Sequence, residues 1–202
     1  TESIYDRSVR KIMKSNGAGL GADCAVLAGS AVCDGILSGQ ALAFGTDKRT
    51  AARAYLAAVN YVIACCANRA ALGLFDTGAY ITIMIPERMR EIKVRMMMEA
   101  TALQAKETGV PILSCNVQVL PTVTQIVVSC VISAGLEKHS EGTIISMKKK
   151  TLVDEDIVMT KWLGLEGTAV MAAESHDKLC QRYPSDLVNT AADFYEYLSI
   201  AP

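Results

Sequence analysis

Two aspartates in this sequence stand where a carboxylate could help to bind a charged ligand. Asp23 ends a glycine-rich loop, 17–23, and Asp47 directly follows a run of residues with strand character. Magnesium binds proteins through one or two carboxylates together with phosphate oxygens, and glycines let backbone N–H groups approach a phosphate. We therefore predict that both aspartates are metal ligands and that Gly19 and Gly21 contact a bound phosphate.

Alternatives stay open for these residues and for a second glycine segment. For Asp23 the alternative is a plain turn before a strand, because most glycine-rich loops are turns. Gly164 and Gly167 lie in the second segment, 164–168, which is predicted to join a strand to a helix and could bind an anion at the helix start. A tight turn without a ligand explains that segment as well. Lys161 could meet the same anion or be an ordinary exposed lysine.

The seven cysteines predict no zinc site and a reducing compartment. No Cys-x-x-Cys spacing occurs, and only His139 and His176 could complete a zinc cluster. Several cysteines lie in apolar runs, which is typical of buried thiols in the cytoplasm. Cys115 is accordingly predicted to be a small buried residue, not a reactive thiol. Neither histidine has an evident nucleophile beside it, so neither is assigned a role.

The composition is that of a globular protein with a sizeable core. The chain has 202 residues, 51% of them hydrophobic and 20% charged, with a formal net charge of -1. Nucleic acids and anionic membrane surfaces favour a strong basic excess, so neither is expected as a partner. No apolar run approaches the roughly 18 residues needed to cross a bilayer.

The elements that must position the candidate residues mix strands with two long helices, which predicts an α+β fold with helices packed on a sheet. Strands are predicted over Cys24–Leu27, Ala41–Gly45, Gly78–Ile85, Pro111–Val119, Val123–Ser133 and Asp156–Lys161, with a loop or turn at Gly35–Gly39. Helices are predicted over about 1–16, Thr50–Asn68, Glu87–Thr108 and 168–174, and near the C-terminus with Leu187, Ala191, Phe194 and Leu198 on one face.

Several segments, taken in order, resemble motifs of the AIR synthase (PurM) superfamily of ATP-using enzymes. The resemblance is closest to its AIR synthase-related and HypE-like members. The segments read GAGLGADCA (17–25), TD (46–47), LAAVN (56–60) with ANRA (67–70), GVPIL (109–113), DEDIVMTKW (154–162) and GLEGT (164–168). Each motif alone is weak, but their order and spacing together are specific and cover nearly the whole chain.

The resemblance implies a domain organisation and a chemistry. Residues 1–138 would form an AIR synthase N-terminal-like domain, a mixed sheet with helices on one side that closes into an intersubunit barrel in a homodimer. Residues 139–202 would be the beginning of a C-terminal-like domain whose remainder is absent. The implied cofactors are ATP and magnesium, the nucleotide contacts would include Asn60, and the reaction would phosphorylate an oxygen of the substrate.

Two departures from the family pattern leave a second function open. Tyr61 follows Asn60 where the family has an aspartate that binds magnesium, and Asn116 and Gln118 stand where it has titratable residues. A phenol is a poor ligand for a hard cation, and amides cannot serve as general bases near neutral pH. We therefore weigh an ATP- and magnesium-dependent enzyme or maturation factor against a degenerate, non-catalytic dimeric binding or scaffold protein. The catalytic residues and the substrate stay unassigned.

Overall fold

The computed structural model of the protein describes residues 24–28, 35–64, 72–136, 159 and 161–199. The predicted helix over 1–16, the glycine loop with Gly19, Gly21 and Asp23, and His139 lie outside these ranges. The strands are β1 (Cys24–Ala28), β2 (Gly35–Gly45), β3 (Leu72–Ile85), β4 (Ile112–Val119) and β5 (Ile126–Leu136). The helices are α1 (Thr50–Ala64), α2 (Glu91–Thr108), α3 (Leu165–Glu174), α4 (His176–Cys180) and α5 (Ser185–Asp193), followed by a 3-10 helix over Phe194–Leu198.

The five described strands form one mixed sheet in the order β1-β2-β5-β3-β4. All neighbours are antiparallel except β3 and β4, which run parallel because α2 connects them. Alternate residues of β3 and β5 point towards the helices and are buried, as the two-residue period of a strand requires. They include Ile81 and Ile83 on β3 and Val128, Cys130 and Ile132 on β5.

The helix α1 supplies the other half of the core. Ten of its fifteen residues are buried, including Tyr55, Leu56 and Val59, so it is apolar on most of its faces, as its composition predicts. The opposite face of the sheet is open: Leu42, Phe44 and Tyr80 point away from the helices and are exposed. The predicted α+β architecture, with helices on one side of a mixed sheet, is confirmed.

The turn predicted at Gly35–Gly39 is wrong, because these residues are the first half of the eleven-residue strand β2. Gly39 pairs with Cys24 of β1 on one side and with Ile132 of β5 on the other. Hydrogen bonds to two neighbouring strands outweigh the low strand preference of glycine at this position.

Helix α2 begins at Glu91, four residues later than predicted, because Pro86 and the residues after it form a turn in which the N–H of Met89 donates to the Pro86 carbonyl at 3.0 Å. Its buried positions also differ from the apolar residues at helical spacing that predict the helix, which are Met89, Ile92, Met96, Ala100 and Leu103. Met97 is buried, whereas Met96 and Leu103 are exposed.

The C-terminal helices pack against the core that the sheet and α1 form. Ala169 of α3 and Tyr195 of the 3-10 helix belong to the main core. The final helical face lies one residue later than predicted, with Val188, Ala192 and Tyr195 buried and Leu187 exposed. The offset is already present within α5, where Val188 and Ala192 are the side chains that pack against Ala172 of α3. The division into domains 1–138 and 139–202 stays a prediction.

Candidate functional site

The turn between β2 and α1 carries Asp47 and organises the residues around it. The Asp47 carboxylate accepts a hydrogen bond from the N–H of Arg49 at 2.8 Å, a local arrangement that aspartate favours before a helix. The carbonyl of Asp47 accepts from the hydroxyl of Thr50 at 2.8 Å and from its N–H at 3.2 Å. These bonds fix the first turn of α1 and hold Asp47 at the end of β2.

Two arginines of the same segment compensate the charge of Asp47. Arg49 Nη1 lies 3.4 Å from Asp47 Oδ1, and Arg53 Nη1 lies 4.0 Å from Asp47 Oδ2. Arg49 also donates from Nε to Asp193 Oδ1 at 3.1 Å, contacts the same oxygen through Nη2, and stacks 5.8 Å from the centre of the Tyr195 ring. The β2–α1 segment and the C-terminal helices therefore meet at a network of two arginines and two aspartates.

Arg53 is the buried member of this network. Its side chain is 3% exposed, and its Nη2 donates to the Thr50 hydroxyl at 3.4 Å, whereas its Nη1 has no hydrogen-bond partner. Burial lowers the pKa of Arg53, and the negative charges of Asp47, Glu174 and Glu166 oppose that shift. Burial also disfavours the charge of Arg49, but the hydrogen bonds that Arg49 donates to Asp193 and the charge of Asp47 raise the pKa of Arg49 overall. A buried guanidinium with a free donor is suited to bind an anion.

Glu174, the last residue of α3, provides an anion at this turn. Its carboxylate accepts from the N–H of Thr46 at 2.8 and 3.0 Å, from the Thr46 hydroxyl at 2.7 Å and from the N–H of Asp47 at 3.2 Å. We call these three donor groups, the two N–H groups and the hydroxyl, the Thr46 anion site. A carboxylate is favoured here because it accepts from the N–H groups of Thr46 and Asp47 and lies near the N-terminal, positive end of the α1 dipole.

Of the predicted site residues that the structure describes, only Asp47 lies in this network. Gly19, Gly21 and Asp23 are outside the described ranges. Asn60 lies roughly 15 Å further along α1 than Thr50, at 1.5 Å per residue, and its Nδ2 donates to the Leu198 carbonyl at 2.7 Å.

The second glycine segment forms the start of α3. Gly164 is the N-terminal cap in the left-handed region, with φ of 80°, and Gly167 lies in the first turn of the helix. A Cβ at either glycine would meet no atom within 4 Å, so both face open space. Lys161 is exposed. Among the residues that the structure describes, no three His, Cys, Asp or Glu side chains are grouped as a metal site.

Cys115 is exposed, so its assignment as a buried residue is wrong. It lies on β4, at one edge of the described sheet, where its Sγ contacts Met98 Sδ of α2 at 3.7 Å. Its neighbours Asn116 and Gln118 pair with Thr82 and Met84 of β3 and, by strand alternation, belong to the open face. Partial burial raises the pKa of Cys115, which makes the thiol less reactive.

His176, to which the sequence gives no role, contacts three side chains on α4 and α5. Its Nε2 lies 2.9 Å from Asn189 Oδ1, its Nδ1 lies 3.4 Å from Asp177 Oδ1, and the Sγ of Cys180 is 3.7 Å from Nε2. The contacts with Asn189 and Asp177 raise the pKa of His176. The Sγ of Cys180 is 3.7 and 3.8 Å from the two ring nitrogens. Because it is nearly equidistant from both, it is not aimed at one of them as a nucleophile beside its base would be.

Sequence analysis missed Arg49, Arg53, Asp193 and Glu174. A local signal existed only for Arg53, a charged residue inside an otherwise apolar helix, where burial implies an ionic partner. Glu174 is 128 residues from Thr46 in the chain, and no spacing pattern connects the two.

Comparison with known proteins gives the fold its name. No protein-family model matches the chain, and no curated protein matches it. Among solved structures, AaThiL complexed with AMPPCP and TMP matches 66% of this chain with a TM-score of 0.51 and 13% identity. The protein tt0281 from Thermus thermophilus matches 68% of this chain with a TM-score of 0.50 and 14% identity. The chain has a PurM-like fold.

The PurM-like chain covers less than half of the length of these similar proteins, 43% of AaThiL and 46% of tt0281. HypE from a HypE–HypF complex also aligns, with 17% identity over 71% of this chain and 46% of that one, at a TM-score of 0.49. In the described part of the PurM-like chain, no helix is both long and apolar enough to span a bilayer.

Proposed function

We propose that this PurM-like chain belongs to an ATP- and magnesium-dependent phosphoryl-transfer enzyme or maturation factor, with the β2–α1 turn at its nucleotide site. The observation that carries the proposal is that backbone N–H groups, the buried Arg53 and the carboxylate of Asp47 converge at the end of β2. Such a turn suits phosphate oxygens, and the similar AaThiL is complexed with AMPPCP.

In this proposal Asp47 acts together with Asp23 as a magnesium ligand. Magnesium, when bound, neutralises charge on the transferring phosphoryl group. The further nucleotide contacts that we propose come from the glycine segments, the lysine before the second of them and the amide on α1. They are Gly19, Gly21, Asn60, Lys161, Gly164 and Gly167. Among the described residues, the phosphate groups of the nucleotide have suitable donors. The magnesium ion also requires Asp23, which lies outside the described ranges.

A degenerate, non-catalytic protein on the same fold is the second candidate, and one observation favours it. Both oxygens of Asp47 already lie against arginines, Arg49 at 3.4 Å and Arg53 at 4.0 Å. These cations compensate the negative charge that would attract a metal ion. Tyr61 at the position of a family acid points the same way.

Calorimetric titration of ATP with and without magnesium separates the two candidates. For the enzyme we expect binding that requires magnesium in the wild-type protein and is lost in Asp47→Asn. Asp186→Asn, an exposed acid in the first turn of α5, is the matched control and should bind as the wild type does. Binding that is absent or indifferent to magnesium would reject the enzyme and support the degenerate protein. In that case Tyr61→Asp tests whether the lost acid explains the difference.

We also propose that the protein is a cytoplasmic homodimer whose contact surface is the open face of the sheet. Leu42 and Phe44 on β2 and Tyr80 on β3, with β5 between these strands, expose apolar surface on the same side of the sheet. Apolar surface of this kind commonly marks a protein interface. A sheet-to-sheet contact between two copies would give the intersubunit barrel that the family resemblance implies. The cytoplasmic location is supported by free thiols at Cys115, Cys130 and Cys180.

A further inference from the structure

The Thr46 anion site is filled by a side chain of the protein itself. Both carboxylate oxygens of Glu174 are bound, with donor–acceptor distances from 2.7 to 3.2 Å. Glu174 and Thr46 are nevertheless both exposed, so a soluble ligand can reach the donors. Two N–H groups and a hydroxyl that converge on one carboxylate would also fit the oxygens of a phosphoryl group.

A second observation, independent of the helix start, points to an additional anion. Arg53 is 3% exposed and its Nη1 has no hydrogen-bond partner. Arg53 borders the same turn through Thr50, whose hydroxyl accepts from Nη2. A Cβ placed on Gly45 would lie 3.1 Å from that hydroxyl and 2.3 Å from Glu174 Oε1, which brings the arginine and the glutamate to neighbouring sides of one small space. A buried cationic donor without a hydrogen-bond partner costs free energy, and a bound anion that accepts this hydrogen bond would recover it.

We propose that the Thr46 anion site binds a phosphoryl group and that Glu174 is its internal competitor, which must leave before the phosphoryl group enters. The phosphoryl oxygens take over the donors of Thr46 and Asp47 and add a contact with Arg53 that the carboxylate of Glu174 does not make. This inference rests on the proposed function, because the phosphoryl group is taken to be that of the nucleotide. It adds a means of regulation: occupancy of the site is coupled to release of the end of α3.

The competition has a defined effect on affinity. A ligand that binds only the open form has an apparent dissociation constant equal to its intrinsic value divided by the open fraction. Removing the competitor raises the open fraction to one. If Glu174 occupies the site in about nine molecules of ten or more, its removal tightens binding by about tenfold or more.

The test compares Glu174→Ala with Glu166→Ala by calorimetry, using inorganic phosphate and, separately, ATP with magnesium. Both glutamates lie on α3 and act electrostatically on Arg53, but only Glu174 contacts the Thr46 anion site. We expect Glu174→Ala to bind phosphate about tenfold more tightly than the wild type. Glu166→Ala should change the affinity by less than about threefold, as expected for removal of a nearby charge alone.

A second variant displaces Glu174 without changing the charge of the protein. Glu174→Asp shortens the side chain by one methylene group and keeps its charge, so the carboxylate no longer reaches the N–H groups of Thr46 and Asp47. Glu174→Asp should therefore also tighten phosphate binding, and a thermal melt verifies that the variant is folded. This result does not depend on the charge that Glu174→Ala removes.

The outcomes separate the inference from the proposed function. Tighter phosphate binding by Glu174→Ala and Glu174→Asp, with no ATP binding by any variant, supports the inference and rejects the nucleotide. Magnesium-dependent ATP binding with the same affinity in the wild type and Glu174→Ala overturns the inference and leaves the function standing. Equal tightening by Glu166→Ala also overturns it, because the effect would then be one of general charge. Weaker phosphate binding by Glu174→Ala would mean that Glu174 positions the donors and does not compete for them.

Discussion

Arg53 Nη1 lies 4.0 Å from Asp47 Oδ2, close enough for an ion pair but without a hydrogen bond between the two atoms. Arg53 is 3% exposed and Asp47 is 13% exposed, so the pair is largely removed from water. A buried charge whose partner is removed loses far more than an exposed one, because the remaining charge stays desolvated. The stability of the β2–α1 turn should therefore depend strongly on Asp47.

We expect Asp47→Asn to lower the free energy of unfolding by about 3 kcal/mol, since it leaves the buried Arg53 without its nearest anion. Chemical denaturation measures this value. Asp193→Asn removes the other, half-exposed partner of Arg49 and should cost no more than about 1 kcal/mol. In the double variant Asp47→Asn with Arg53→Met, the loss should be smaller than the sum of the single losses. Additive losses would show that the two side chains do not interact.

Two buried groups predict that the protein loses stability at alkaline pH. Burial raises the pKa of Cys130 from 9.0 to about 12 and that of Tyr55 from 10.0 to about 12. Each is raised above its unfolded value, so each contribution is fully present below the unfolded pKa and is lost as pH rises towards the folded pKa. The free energy of unfolding should fall from about pH 9 upwards. Urea denaturation at pH 8 and pH 10.5 measures the loss.

The matched variants for the alkaline loss are Cys130→Ala and Tyr55→Phe. Each costs stability at every pH, the first through a small cavity and the second through the lost hydrogen bond to the Val110 carbonyl at 2.7 Å. Each should also lose less stability between the two pH values than the wild type does. The same decrease in wild type and both variants would assign the alkaline loss to other groups.

The proposed dimer makes a prediction about two leucines of equal exposure. Leu42 on the open sheet face is 63% exposed and Leu103 on the outer side of α2 is 62% exposed. Leu42→Lys places a charge in the proposed contact and should shift the protein to monomers in sedimentation experiments. Leu103→Lys changes surface charge by the same amount and should leave the association unchanged. A wild type that sediments as a monomer, or a dimer that only Leu103→Lys disrupts, would contradict the proposed surface.

The sheet and α1 could be predicted from the sequence because their signals are local. Residues such as Ile81 and Ile83 alternate with more exposed neighbours, and α1 is apolar on nearly every face. The first half of β2 could not be predicted, because Gly35–Gly39 has the composition of a turn. It becomes a strand through pairing with β1, the preceding strand, and with β5, which is distant in sequence.

The buried face of α2 shows a different reason for failure. Thr101 is fully buried although it is polar, because its hydroxyl donates to the Met97 carbonyl at 2.7 Å within the same helix. Leu103 is exposed although it is apolar. The spacing of apolar residues therefore predicts helix α2 correctly but predicts the wrong buried face. The buried face is the one that packs against α1, and the sequence of α2 alone does not specify it.

The candidate site was predictable only at Asp47. Glu174 becomes a partner of the β2–α1 turn only through the packing of α3, whereas Arg49 and Arg53 lie in the same segment as Asp47. The sequence predicts that Asp47 is a metal ligand, whereas in the structure Arg49 and Arg53 compensate its charge.

The contact between Glu174 and Thr46 also has a kinetic consequence. It closes a segment of 128 residues, and ordering so long a segment has a high entropic cost that is met only once the sheet exists. The contact should therefore be absent from the folding transition state, with a φ-value near zero. Glu174→Ala would then leave the refolding rate unchanged and speed up unfolding, so this single carboxylate would lengthen the lifetime of the native state.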